Sequence, residues 1–275
     1  MSKIHIASYD KDLRSTDELI KAALDDLESD TAQRAIGVLH YRGSEEVFEA
    51  AQGLCASERP LERELGVRIL GTLGWDTPTF VDESVQILIE RLQDQDEEVI
   101  AAAAKSLGDR NHPKAIPYLL KLIDHPNPSI RSGVVWGLSG HDNEMAIKGL
   151  IILSQDEDDD IRNWATFGLG DLTEVNIPEL RAALIDRLND NIPEVRGEAL
   201  LGLARRKDER VIQPIIRELE GKFEGIWALE AAAILANPIL YPYLLTLREH
   251  LPENIGKNSL ESLNAAIDAC KPSNL

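Results

Sequence analysis

IRNWATFGLG, residues 161–170, is the stretch whose reading decides the fold. Turned at about 100° per residue, Ile161, Ala165, Gly168 and Leu169 fall on one stripe, at helical offsets 0, 4, 7 and 8. Asp158 to Asp160 stand directly before it, where carboxylates meet the positive end of a helix dipole. A single amphipathic segment predicts one helix. Its recurrence predicts an architecture.

TAQRAIGVLH (31–40), LGVRILGTLG (65–74), VIAAAAKSLG (99–108), IRSGVVWGLS (130–139) and VRGEALLGLA (195–204) align with it without a gap. Their starts, with residue 161 in sequence, lie 34, 34, 31, 31 and 34 residues apart. Offset 8 is leucine every time: Leu39, Leu73, Leu107, Leu138, Leu169 and Leu203. Offset 7 tends to small residues, ending in Gly137, Gly168 and Gly202, which lets a partner helix approach closely. Glycine inside a helix costs about 1 kcal/mol against alanine, so close packing or a close-lying ligand is the expected compensation.

Between these segments lie apolar partner helices such as EEVFEAAQGL, DESVQILIERL, AIPYLLKLI and RVIQPIIREL, with acidic or proline-bearing turns. Ser15 and Glu18 form a capping box ahead of the first of them. After residue 220 the register drifts by one, as a capping repeat would. Such pairs bury their stripes only against neighbours. An all-α solenoid of about eight stacked antiparallel helix pairs follows, one domain over 13–275 with capping repeats from about 221 and a short extension at 1–12, where Ile4 and Ile6 alternate with polar residues.

NPSIRSGVVWGLS, DDDIRNWATFGLG and IPEVRGEALLGLA combine a polar turn, an Ile-Arg or Val-Arg pair, small residues and a terminal Leu. In this the chain resembles HEAT-repeat proteins of the short-repeat subclass similar to phycobilisome-lyase subunits, over roughly 15–270 and best over 80–205. The resemblance implies that the second helices line a concave side. It also implies that Arg131, Arg162 and Arg196 bond the turn before the neighbouring helix. Ala32, Gly66 and Ile100 stand at that position in earlier repeats, so an incomplete arginine ladder is expected.

The chain of 275 residues carries 48 acidic and 29 basic side chains, a formal charge of -19, and neither half is basic. Non-specific attraction to a phosphate backbone is disfavoured, and a basic protein partner fits better. No apolar run approaches the ~18 residues of a membrane span, and MSKIHIASYDKD lacks the apolar core of a signal peptide. With Cys55 and Cys270 read as reduced thiols, a cytoplasmic protein is expected. Oligomeric state is not legible.

If the 0/4/7/8 stripe is buried, the free face lies near offsets 2, 6, 9 and 10. Offset 6 then reads Gly37, Gly71, Lys105, Trp136, Phe167, Leu201, with Trp164 beside it. Three consecutive repeats place a large apolar group where solvent should be, in a chain with 5% aromatics. Two readings stand. The stripe is the floor of a binding groove rimmed by Lys105, His141, Asp171, Glu198 and Arg205, with Arg110 and Arg206 nearby, or curvature packs these side chains on one another.

Asp156 to Asp160 lack the glycine and terminal glutamate of an EF-hand loop and read as a helix entrance. RRKDER (205–210), the one basic cluster, reads as a polar turn. The six histidines form no metal-ligand spacing, and no GxSxG, Walker or dinucleotide motif occurs, so neither metal nor cofactor is expected. The leading function is a non-enzymatic scaffold that grips a protein partner at Trp136, Trp164, Phe167 and Leu201. An inhibitor or immunity role against a basic toxin or nuclease is compatible with that. Alternatives are a bilin lyase or tetrapyrrole-binding chaperone, implied by the resemblance, and a HEAT-like DNA glycosylase using Asp171, which the charge disfavours.

Overall fold

The first capping box forms as its residues dictate: the Ser15 hydroxyl accepts from the Glu18 N–H and the Glu18 carboxylate accepts from the Ser15 N–H. A computed structural model describes residue 9 and residues 11–221, 226–250 and 256–273. Ile4, Ile6 and most of the expected 1–12 extension lie outside these. Tyr9 packs over Gly37 and beside Tyr41, and the Asp12 and Arg14 carbonyls accept from Arg42, so Tyr9, Asp12 and Arg14 are tied to the second helix.

Contacts divide the chain into two compact units, Met1–Leu138 and Ser139–Leu275. Unit 1 holds α1 (Thr16–Leu24), α2 (Asp30–Arg42), α3 (Glu45–Cys55), α4 (Pro60–Gly71), α5 (Val81–Arg91), α6 (Glu97–Arg110), α7 (Ile116–Leu119) and α8 (Pro128–Leu138). Unit 2 holds α9 (Glu144–Leu153), α10 (Asp159–Gly170), α11 (Pro178–Arg187), α12 (Pro193–Arg205), α13 (Ile212–Glu220), α14 (Trp227–Leu235), α15 (Tyr241–Glu249) and α16 (Lys257–Cys270). Each odd-numbered helix pairs with the even one after it. The even-numbered helices also stack in series, α2 to α8 in unit 1 and α10 to α16 in unit 2. The fold class is therefore the α-solenoid that the repeats demand.

The stripe sits where the periodicity puts it. All six offset-8 leucines and all six offset-4 residues, Ala35, Ile69, Ala103, Val134, Ala165 and Ala199, are fully buried. At offset 7 the small residues do close packing. A Cβ on Gly202 would stand 2.6 Å from the Gly170 Cα, so α10 and α12 meet backbone to backbone. The acidic run caps its helix: Asp158 accepts from the Asp160 and Ile161 N–H groups, and Asp159 pairs with Arg162 at 2.5 Å.

The arginine ladder is longer than the leucine alignment implies. Counted from the helix start, the fourth residue is Gln33, Arg63, Arg131, Arg162 or Arg196, and each donates to the carbonyl six residues back. Alignment on the leucine hid Gln33 and Arg63, because helix starts and leucines are not a constant distance apart. Arg63 and Arg162 also reach forward into the next turn, to Asp94 at 2.7 Å and Asp190 at 3.0 Å. Burial raises the pKa of Asp94 and Asp190, but the guanidinium bonds and a backbone N–H outweigh it and leave both lowered.

The RRKDER turn is a structural lock. Arg206 donates to the carbonyls of Leu169, Gly170, Thr173, Val175 and Gly202, binding the segment after α10 to the end of α12. In unit 1, Arg110 does the same for the segment after α4, through the Leu70 and Leu73 carbonyls. Neither guanidinium is a rim group. Cys55 and Cys270 are buried free thiols.

Candidate functional site

Residues three and seven apart share a helix face, and in unit 2 three stacked helices show such rows side by side. On α10 the row is Trp164, Phe167 and, at its C-cap, Asp171. On α12 it is Glu198, Leu201 and Arg205. Trp227 opens α14, with Glu230 three residues on.

Trp164 is 49% exposed and meets Phe167 edge to face, with ring centroids 5.8 Å apart. The Asp171 N–H donates to the Phe167 carbonyl, and the Asp171 carboxylate pairs with Arg205 at 2.5 Å. Leu201 departs from expectation. It is 7% exposed, because α12 is flanked by α10 and α14, and belongs to the core. Gly170 and Ala204 at offset 9 are buried for the same reason. The offset-6 stripe is thus not one continuous exposed floor.

Trp227 is the residue the sequence reading missed. A Cβ on Gly197 would run into its indole, so the missing side chain makes the seat for the ring. Its ring lies beside the residue directly before Glu198. Burial is the largest effect on Glu198 and raises its pKa, and the Asp171 charge adds to this; Arg205 and the indole offset it only in part. Unit 1 has a similar glycine–indole contact. A Cβ on Gly108 would collide with the Trp136 indole, whose N–H donates to Asp109 at 2.9 Å. Trp136 keeps 43% of its surface. Water withdrawn by the surrounding protein raises the Asp109 pKa although the residue keeps an exposed edge; the indole, Lys105 and Arg110 oppose this. The available signal was a Gly-acid pair followed by Trp 28 and 30 residues later, at one repeat length. The register drift after residue 220 concealed it.

Lys105 is exposed on α6 in unit 1, and His141 is half-buried in the turn before α9 in unit 2. Asp171 is held by Arg205, so the carboxylate a glycosylase would employ is already engaged. Among the described residues no three His, Cys, Asp or Glu side chains converge as metal ligands, and no helix is long and apolar enough to cross a membrane.

Stacked helix pairs with a repeated polar turn and a buried leucine in each repeat define a helical-repeat solenoid. The profile of HEAT repeats matches residues 85–170 and 147–236, and the chain belongs to that family. It is 28% identical to protein YibA of Escherichia coli K12 over 96% of this chain and 94% of that protein. The crystal structure of E. coli YibA superposes with a TM-score of 0.75 at 27% identity, covering 99% of this chain and 98% of that one. "Uncharacterized phycocyanin operon protein Z" of Pseudanabaena tenuis is 29% identical over 46% of this chain and 58% of its own length. Kap95p, the yeast importin-β, shares the fold in a structure describing its binding to RanGDP, with a TM-score of 0.65 at 15% identity over 98% of this chain and 42% of Kap95p.

Proposed function

We propose that the protein is a non-enzymatic binding scaffold that grips a basic protein partner on the second-helix face of unit 2. The observation that carries this is the pairing of half-exposed Trp164, edge to face with Phe167, on one outward face of α10. Aromatic anchors ringed by charge are what protein interfaces use for affinity and orientation. The formal charge of -19 selects for basic partners and against phosphate backbones. Use of the same fold by Kap95p to bind RanGDP supports a protein ligand. Such a scaffold would suit an inhibitor or immunity-type protein that occludes a basic partner stoichiometrically.

The test is affinity capture from the source cell with wild-type bait and with Trp164→Ala/Phe167→Ala. Trp164 is half-exposed and Phe167 only half-buried, both off the buried stripe of α10, so the double variant should keep its circular dichroism. The specific partner should be lost. Retention of the same partner at the same yield removes this face from the account.

A second reading, a tetrapyrrole-binding chaperone or bilin lyase, is favoured by the similarity to the phycocyanin operon protein. Flat aromatic surfaces near Arg205 would serve a conjugated ring bearing carboxylates. Phycocyanobilin mixed with the protein should then change its absorbance, and an unchanged spectrum eliminates this alternative.

A further inference from the structure

We propose that a cavity of about 390 Å³ in unit 2, walled by the end of α11, the start of α12 and α13, binds a single carboxylate carried on a short apolar tail. It shares no residue with the Trp164 and Phe167 face and stands whether or not that face takes a partner.

The cavity opens because this repeat junction lacks two groups that close others. At two earlier junctions a ladder arginine, Arg63 or Arg162, binds an aspartate of the next turn, Asp94 or Asp190, through both Nε and Nη2. Three residues before that aspartate a second arginine, Arg91 or Arg187, donates to the carbonyl of Cys55 or Ser154, eight residues before the ladder arginine. At the third junction the ladder arginine is Arg196. Laying IRELEG (216–221) over IERLQD (89–94) and IDRLND (185–190) puts Glu218 in place of the second arginine and Gly221 in place of the aspartate. Glu218 meets the Nε of Arg196 at 2.8 Å, and the Arg196 Nη1 donates to the carbonyls of Asp190 and Asn191. Among the described residues, Nη2 has no partner and no guanidinium reaches the equivalent carbonyl, that of Leu188.

The group that Arg196 lacks is thus a carboxylate, and the polar wall is built to hold one. Arg217 lines the cavity at the position of Glu90 and Asp186, and among the described residues its guanidinium makes no hydrogen bond or ion pair; nor does the Asn189 amide beside it. Guanidinium groups bind carboxylates through short, charge-assisted bonds. Arg196 and Arg217 against Glu218 leave one positive charge on the wall. Asp190, in the adjoining turn, is held by Arg162, and Glu220 and Lys222 on either side of Gly221 cancel formally. One anionic charge restores balance. The remaining wall, Leu188, Leu200 and Pro214, is buried and apolar, which suits a tail of a few carbons, and the volume falls within the roughly 300 to 1,000 Å³ of small-ligand sites. A free acid or the C-terminus of a chain can carry that chemistry.

The probe is isocaproate, followed through the backbone amide signals of the full chain by NMR. The Asn189 and Gly221 signals should shift saturably while that of Gly53, in unit 1, stays in place. Isocaproamide, isosteric but uncharged, and acetate, charged but without the tail, should each bind at least about fivefold more weakly. Arg217→Gln should bring isocaproate to the isocaproamide level, and Arg34→Gln, which removes an exposed arginine of unit 1, should change nothing. Acetyl-Ala-Leu with a free carboxylate is the second probe; whichever of it and isocaproate binds more tightly identifies the source as chain end or free acid. Absence of a saturable shift, equal binding of isocaproate and its amide, equal binding of acetate, or an affinity that survives Arg217→Gln or falls as far in Arg34→Gln overturns the proposal. The amide and acetate comparisons use the wild-type protein and stand even if Arg217→Gln misfolds.

Discussion

His40 shows how much one side chain can set. Its Nε2–H donates to the Arg68 carbonyl at 3.0 Å, and its Nδ1 accepts from the Thr72 hydroxyl at 2.7 Å, so the ring is held as one neutral tautomer between α2 and the end of α4. Burial is the main cause that lowers its pKa from 6.5 to about 4; the Arg68 bond opposes this and the Arg110 charge adds to it. Between those values the unfolded chain binds a proton that the folded chain refuses. Stability is therefore lost as pH falls through that window, by about 2 to 3 kcal/mol at pH ~4.5. Urea unfolding at pH 7 and 4.5 should show this loss in the wild type and a much smaller one in His40→Gln, which keeps a polar side chain in place. The remaining histidines titrate equally in both proteins, so equal losses would refute the assignment.

At the scale of the element, a helical glycine is judged by what stands where its Cβ would go. Gly53 in α3 is exposed with nothing within 4 Å, and Gly53→Ala should raise stability by about 0.5 to 1 kcal/mol through helix propensity alone. Gly202→Ala gains the same propensity but drives a Cβ against the Gly170 Cα at 2.6 Å and the Leu184 side chain at 2.9 Å. Backbone cannot yield as a side chain can, and overpacking costs roughly 1 to 3 kcal/mol. The two substitutions should shift the melting temperature in opposite directions. A stabilised Gly202→Ala protein would mean that α10 and α12 are not in close contact.

Across the whole molecule the dominant quantity is charge. With a formal -19 on 275 residues, encounter with a basic partner should be electrostatically accelerated. Raising the salt from about 50 to 500 mM should slow stopped-flow association roughly tenfold while dissociation changes little, because screening acts on the approach and the aromatic contacts on the bound complex. A salt-independent association rate would leave recognition to apolar contact alone.

The repeat was legible because it is written locally. A leucine every 31 or 34 residues, small residues one position before it and a polar turn ahead determine the helix, its buried stripe and the stacking partner, and all six leucines are buried accordingly. Helix capping by Ser15 and Asp158 was legible for the same reason. What lies between neighbouring repeats was not. Burial of Leu201 depends on α12 being flanked on both sides, and Arg206 is saturated by carbonyls from a segment about 30 residues earlier. Gln33 and Arg63 join the ladder because helix starts, rather than leucines, set its register. Trp227 lies against α12 because Gly197 leaves room for its ring. Periodicity reports which face of a helix is buried; only the packed neighbour decides how far that burial extends and which backbone carbonyls a buried guanidinium reaches.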